Sequence, residues 1–156
     1  MNTYWNHQKC LVALLCLLTI GCQKSAAERL AEEREKTKPV LVELERVILG
    51  VTGKLRDLQF KMDVLLTKAD RAMLDGSGLT VSLLFKLEAS TLASESLRDL
   101  RKTAYDAIVV ARHNIRQMET KKEISKQTQD WALLECDKLD EKFETEQRAT
   151  IKKVPG

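Results

Sequence analysis

The sequence predicts an all-α protein, an elongated antiparallel helical hairpin with a third, C-terminal helix and coiled-coil-like packing. An apolar seam repeats in alternating steps of three and four residues over 41–72, the spacing of packed helices and not of a strand. Only 6 Gly and 2 Pro interrupt the 156 residues. Charged residues make up 31% and aromatic residues 4%, a composition typical of long solvated helices with thin apolar seams.

The first element is a short apolar segment, residues 11–20, which carries no charge and comes after a polar start with the single cation Lys9. It is too short to cross a hydrocarbon core of about 30 Å, which takes roughly 20 helical residues. Its length is that of the apolar region of a signal peptide. The segment runs into Leu18-Thr19-Ile20-Gly21-Cys22, which resembles the lipobox of bacterial lipoproteins.

This resemblance covers residues 1–22 and implies a lipoprotein signal peptide over residues 1–21, with cleavage before Cys22. Cys22 would then carry diacylglycerol on its sulfur and an N-acyl chain such as palmitate, and no other cofactor is expected. Gln23 comes directly after the modified Cys. In Gram-negative lipoproteins an Asp at that position commonly causes retention at the inner membrane, so the resemblance implies an outer-membrane lipoprotein that faces the periplasm.

Residues 22–39 are predicted to form a polar tether, because Leu30 is their only large apolar side chain. Ser25 and Glu28 have the spacing of a capping box, which predicts a helix start at this point. Pro39 disfavours α geometry at the residue before it and predicts that this piece ends or kinks there. A disordered, charged linker is the alternative interpretation.

Residues 40–121 are predicted to form the hairpin, and its first helix carries the seam. Gly50 and Gly53 lie inside the pattern and indicate a kink, a close approach of a neighbouring helix, or tolerated weak points. Gly76 is suited to the left-handed conformation that ends a helix. The seam consists of Leu41, Leu44, Ile48, Val51, Leu55, Leu58, Met62 and Leu65, continued by Ala69 and Ala72.

The second half of the hairpin opens with an ambiguity. Residues 79–87 alternate in part between apolar and polar side chains, as a strand would, but a strand here requires pairing with another protein. A helix is preferred, because an Ala-rich helical pattern continues up to Met118. One face of that helix carries Leu97, Ala104, Ile108, Ala111, Ile115 and Met118.

Residues 122–156 are predicted to form a C-terminal helix and a tail. Residues 119–130 are polar apart from Ile124, so the long helix either bends here or continues with a polar middle section. The bend is preferred, because an isolated extension buries little surface. Three residues of the third helix are candidates for an interface with a partner: Trp131, Phe143 and Cys136. Packing of the third helix onto the hairpin is the preferred interpretation of Trp131. A buried apolar side chain is the preferred interpretation of Cys136, and an intermolecular disulfide is the alternative.

The sequence contains no Gly-rich phosphate loop, no Ser elbow and no Cys or His pair at metal-ligand spacing. After removal of the leader, His113 is the sole His and Cys136 the sole thiol besides Cys22. We therefore expect neither an enzyme nor a metal site. A net charge of +3 gives no electrostatic case for nucleic-acid binding.

The expected function is that of a lipid-anchored helical interaction or structural protein of the cell envelope. Its partners would be the membrane, through the anchor, and another envelope protein or a second copy of the chain. A secretion or conjugation apparatus, an entry-exclusion factor and an envelope spacer are the settings that suit it. The alternative is a helical bundle that binds a small molecule or metal as a sensor or carrier, which needs converging polar groups inside the bundle.

Overall fold

The computed structural model describes residues 24–76 and 78–152, and within them it contains three helices and no strand. Helix α1 spans Ala26–Leu74, α2 spans Leu79–Thr120 and α3 spans Lys126–Ile151. The all-α prediction, the helical start of α2 and the third helix are confirmed. The predicted leader and Cys22 lie outside the described residues.

Helices α1 and α2 are antiparallel, because Leu58 shares a groove with Leu92 and Leu44 shares one with Ala111. Helix α3 runs parallel to α1, since its N-cap Ser125 contacts Glu33 and its later residue Glu146 contacts Arg56. The three helices therefore form a bundle at one end. At the opposite end, the connection over residues 75–78 joins α1 to α2, and of the described helices only these two lie there. We call this the loop end of the hairpin.

Helix α1 begins where the capping box predicts. The Glu28 amide donates to Ser25 Oγ at 3.2 Å, and the Ser25 amide donates to a Glu28 carboxylate oxygen at 2.7 Å. The helix then runs through Pro39 without ending there, so residues 26–39 of the predicted tether are continuous with the helix that carries the seam. Proline in a helix interior costs about 3 kcal/mol or more. Packing on both sides of Pro39, with Thr37 and Leu44 buried, offsets that cost.

The α1 seam forms most of the core. Leu44, Ile48, Val51, Leu55, Leu58 and Met62 are at most 4% exposed, and Leu41 and Leu65 are partly buried. They face smaller residues of α2 such as Ala104 and Ala111, so large and small side chains alternate across the hairpin. Gly50 and Gly53 are exposed with open space beside each, so the close approach of a neighbouring helix is not what they provide.

The two connections use left-handed residues. Gly76 lies just after α1 with φ +74, as predicted for this position. The turn between α2 and α3 places Lys122 at φ +59, where L-residues are rarely found. The Lys122 amide donates to the Glu119 carbonyl at 2.8 Å and the Glu123 amide donates to the Met118 carbonyl at 2.9 Å. This pair of hydrogen bonds defines a Schellman motif with Lys in the place usually taken by Gly.

Replacing Lys122 by Gly is expected to raise the free energy of unfolding by about 1 kcal/mol, because the left-handed conformation strains a side-chain-bearing residue. Lys121→Gly is the matched control, since Lys121 has an ordinary φ of −79 and gains nothing from glycine. Denaturant unfolding of both variants measures the difference. Equal destabilisation by the two changes would contradict the role assigned to the turn.

No helix within residues 24–76 and 78–152 combines the length and the apolar character needed to traverse a lipid bilayer.

Candidate interaction surface

The N-terminal part of α1 holds the start of α3 through a single carboxylate. The Ser125 amide donates to Glu33 Oε2 at 2.9 Å and Thr128 Oγ1 donates to it at 2.6 Å, and the Ser125 hydroxyl donates to the same oxygen. Ser125 is also the N-cap of α3, so the negative charge lies at the positive end of the α3 dipole. Residues assigned by sequence to a tether are therefore part of the bundle.

Hydrogen bonds from the Ser125 and Thr128 hydroxyls and the Ser125 amide lower the pKa of Glu33 from 4.5 to about 2. A carboxylate whose pKa is lower in the folded state stabilises the fold fully above its unfolded pKa. That contribution is lost as the pH falls from about 4.5 through 2.

Glu33→Gln is expected to lower the free energy of unfolding by about 1–2 kcal/mol at neutral pH, because the ionised acceptor is lost. The gap between the two proteins should close on titration to about pH 2, as Glu33 itself becomes neutral. Glu35→Gln is the control, since Glu35 pairs with the exposed Lys38 one turn away. Chemical unfolding as a function of pH tests this, and a pH-independent gap would contradict the assignment.

Helix α3 is also held along its length by ion pairs and ring contacts. Arg112 of α2 binds Asp137 at 2.7 Å and Asp140 at 3.2 Å, and its side chain is about three-quarters buried. The Arg34 guanidinium carbon lies 4.9 Å from the centroid of the Trp131 ring, a cation–π contact between α1 and α3. These contacts fix the position of α3 on the hairpin.

Of the three candidate interface residues of α3, Phe143 and Cys136 are buried in the bundle and Trp131 is partly buried. Phe143 is 4% exposed, Cys136 is fully buried, and Trp131 packs against the core while its ring meets Arg34. Burial raises the pKa of the Cys136 thiol to about 11, so this sulfur is both unreactive and inaccessible. These side chains attach α3 to the hairpin.

The loop end of the hairpin exposes large apolar side chains instead. We call six of them the apolar tip: Met73, Leu74, Leu79, Leu83, Leu84 and Leu87, which are between 51% and 85% exposed. A side chain of this size offers on the order of 100 Å² of apolar surface, so the tip exposes on the order of 400 Å². Apolar patches of that size on a monomer are often functional.

The amphipathic pattern of α2 is inverted in this region. The residues that face α1 are small (Ser82, Ala89 and Ala93), whereas the leucines of the tip lie on the outer side. At about 100° per residue, one outward side carries only uncharged residues: Leu79, Thr80, Leu83, Leu84, Leu87, Ser90, Thr91 and Ser94. Lys86 and Glu88 flank this side at its two edges.

The described residues show little that suggests a catalytic or metal-binding site. Among residues 24–76 and 78–152, no cluster of His, Cys, Asp or Glu has the arrangement of a metal site. An open groove of about 530 Å³ between α1 and α2 is lined mainly by apolar residues, including Val40, Val47 and Val110. His113 is exposed on α2.

Comparisons of the chain with protein-family models, with characterised proteins and with solved structures found no significant match. The assignment of function therefore depends on the residues themselves.

Proposed function

We propose that this protein is a lipid-anchored helical interaction protein of the bacterial cell envelope, attached to the outer membrane through Cys22 and facing the periplasm. It would act as a structural or accessory component, in a secretion or conjugation apparatus, as an exclusion factor, or as a spacer. Its partners are the membrane and another envelope protein or a second copy of the chain. The activity is non-enzymatic.

The anchor is supported by the lipobox-like residues 18–22 and by the folded structure close behind them. The cap of α1 is Ser25, three residues after Cys22. The first turns of α1 are held to α3 through Glu33, so an anchor at Cys22 is joined almost directly to the bundle. Helix α1 has 49 residues, which is about 74 Å at 1.5 Å per residue. The apolar tip lies at the far end of that length.

The observation that carries the interaction role is the apolar tip itself. A chain with 31% charged residues leaves six large apolar side chains uncovered at one end, on helices whose remaining core is well packed. Exposed apolar patches of this size are often contacts with another molecule. The heptad spacing of the α1 seam further supports coiled-coil-like packing of the helices.

The experiment places a photo-crosslinking residue at Leu87 in the tip and, as a matched control, at Val42 on α1, which is also about half exposed. The protein is expressed in its own envelope and irradiated. A discrete adduct from position 87 and none from position 42 is expected. Equal, diffuse labelling from both positions would contradict an interaction through the tip.

The alternative proposal is a bundle that carries or senses a small molecule or metal. The apolar groove beside Val40 and Val110 is the observation that favours it. Absorbance and metal analysis of the purified chain test it, because a carrier would retain a stoichiometric ligand. A stoichiometric ligand or metal would favour this alternative over the interaction role.

A further inference from the structure

We propose that the apolar tip is the contact by which two copies of this chain pair through their hairpin ends. The inference rests on the proposed function, since it names the partner of the same surface. It adds that the surface is self-complementary, so that the protein is a symmetric dimer.

The first support is that the tip continues the surface of α2 on which α3 packs within one chain. Helix α3 covers one face of α2 at the bundle end, and it ends where Gln147 and Ile151 share a groove with Leu97 and Arg101. The helix-packing face of α2 extends toward the loop beyond the last residue of α3. In steps of four and three, that face carries Leu83, Leu87, Ser90, Ser94, Leu97 and Arg101 before it reaches the buried Ala104 and Ile108.

The second support is the amount of apolar surface. A stable interface takes about 800 Å² from each partner, of which roughly 60% is apolar. The apolar tip supplies on the order of 400 Å² per copy, which is most of the apolar part. Two tips together therefore provide what a modest dimer needs.

The third support is charge. In a two-fold symmetric contact each copy presents the same patch, so a patch with one sign of charge repels itself. The outward side of α2 over residues 79–94 carries no charged side chain. It carries the hydroxyls of Thr80, Thr91 and Ser94, and a hydroxyl can both donate a hydrogen bond to and accept one from a hydroxyl of a second copy. Its edges carry one cation, Lys86, and one anion, Glu88. On the α1 side of the tip, Arg71 and Asp75 are exposed beside Met73 and Leu74 and carry opposite charges. Neither side of the tip therefore has an excess of one sign of charge that would repel a second copy.

The test uses residues 24–156, which contain all three helices. Sedimentation equilibrium up to about 100 µM is expected to show a dimer. The double substitution Leu83→Asp/Leu87→Asp should halve the mass, while far-UV circular dichroism below the dissociation concentration stays unchanged. Val42→Asp/Leu49→Asp is the control with two about equally exposed residues of α1, and it should remain dimeric. Leu83→Ser/Leu87→Ser serves as a second, milder variant in case the charged one does not fold.

A monomer over the whole concentration range overturns the proposal, as does a dimer that persists in both tip variants. The outcomes separate this inference from the proposed function. If the chain is monomeric but crosslinking from Leu87 still yields a different envelope protein, self-pairing fails and the interaction role stands. If the dimer forms but Cys22 is not acylated, self-pairing stands and the proposed location fails.

Discussion

Replacing Leu55 by Asp is expected to unfold the protein or to remove most of its cooperative thermal transition. Leu55 is 1% exposed and lies in the core between α1 and the face of α2 that includes Ala104 and Ile115. Loss of a buried Leu side chain costs about 3–5 kcal/mol, and the unpaired carboxylate adds its own desolvation. Because domains of this size are stable by only about 5–15 kcal/mol, the loss is a large share of the total.

The matched control is Leu49→Asp on the same helix. Leu49 is 50% exposed, so the same chemical change there should alter the free energy of unfolding by less than about 1 kcal/mol. Thermal melting monitored by far-UV circular dichroism compares the two. Similar melting curves for both variants would show that the seam is not the core of the fold.

Replacing Cys22 by Ser is expected to move the protein from the membrane fraction to the soluble fraction. The change removes the sulfur that we propose accepts the lipid, and the hydroxyl that replaces it does not form the thioether. Two or three acyl chains at this residue would give stable membrane attachment.

Cys16→Ser is the control for this change, because it removes a thiol from the predicted leader and leaves residues 18–22 intact. It should not alter the distribution between fractions. Fractionation and washing with high salt and carbonate measure both variants. Continued membrane association of the Cys22 variant after washing would argue against a lipid anchor.

Much of the fold is predictable because it depends on patterns formed by residues that lie close together in the sequence. The spacing of Leu44, Ile48 and Leu55 determines which side of α1 is buried, because only a helix places residues three and four apart on one face. Ser25 and Glu28 form their capping box from side chains three residues apart, so a short stretch of sequence contains the whole motif. Gly76 likewise signals its own backbone conformation.

Other features depend on contacts between distant residues and are not predictable in this way. Pro39 indicates a helix end when the local sequence is considered alone, and α1 continues because Thr37 and Leu44 pack on either side of it. The pairing of Glu33 with Ser125 joins positions that the sequence separates by most of the chain. Lys122 gives no local signal for a left-handed turn, since Gly is the residue that usually marks one.

The interaction surface shows the same limit. The scarcity of aromatic residues, which often anchor partners, directs the interface hypothesis to Trp131 and Phe143, and the lone thiol of the third helix adds Cys136. Those side chains hold α3 to the hairpin. The apolar tip is visible in the sequence as part of the run 79–87, but its exposure depends on where α3 ends. The sequence does carry one signal of it, because the side that faces α1 has small residues and the opposite side has leucines.

Mass spectrometry of the N-terminal peptide, from protein isolated from its own membranes, tests the lipid anchor most directly. The mature chain is predicted to begin at Cys22, with a diacylglyceryl group on the sulfur of this residue and an acyl chain on its amine. A free thiol at Cys22, with the leader still attached or removed at another bond, would contradict the anchor and the location inferred from it.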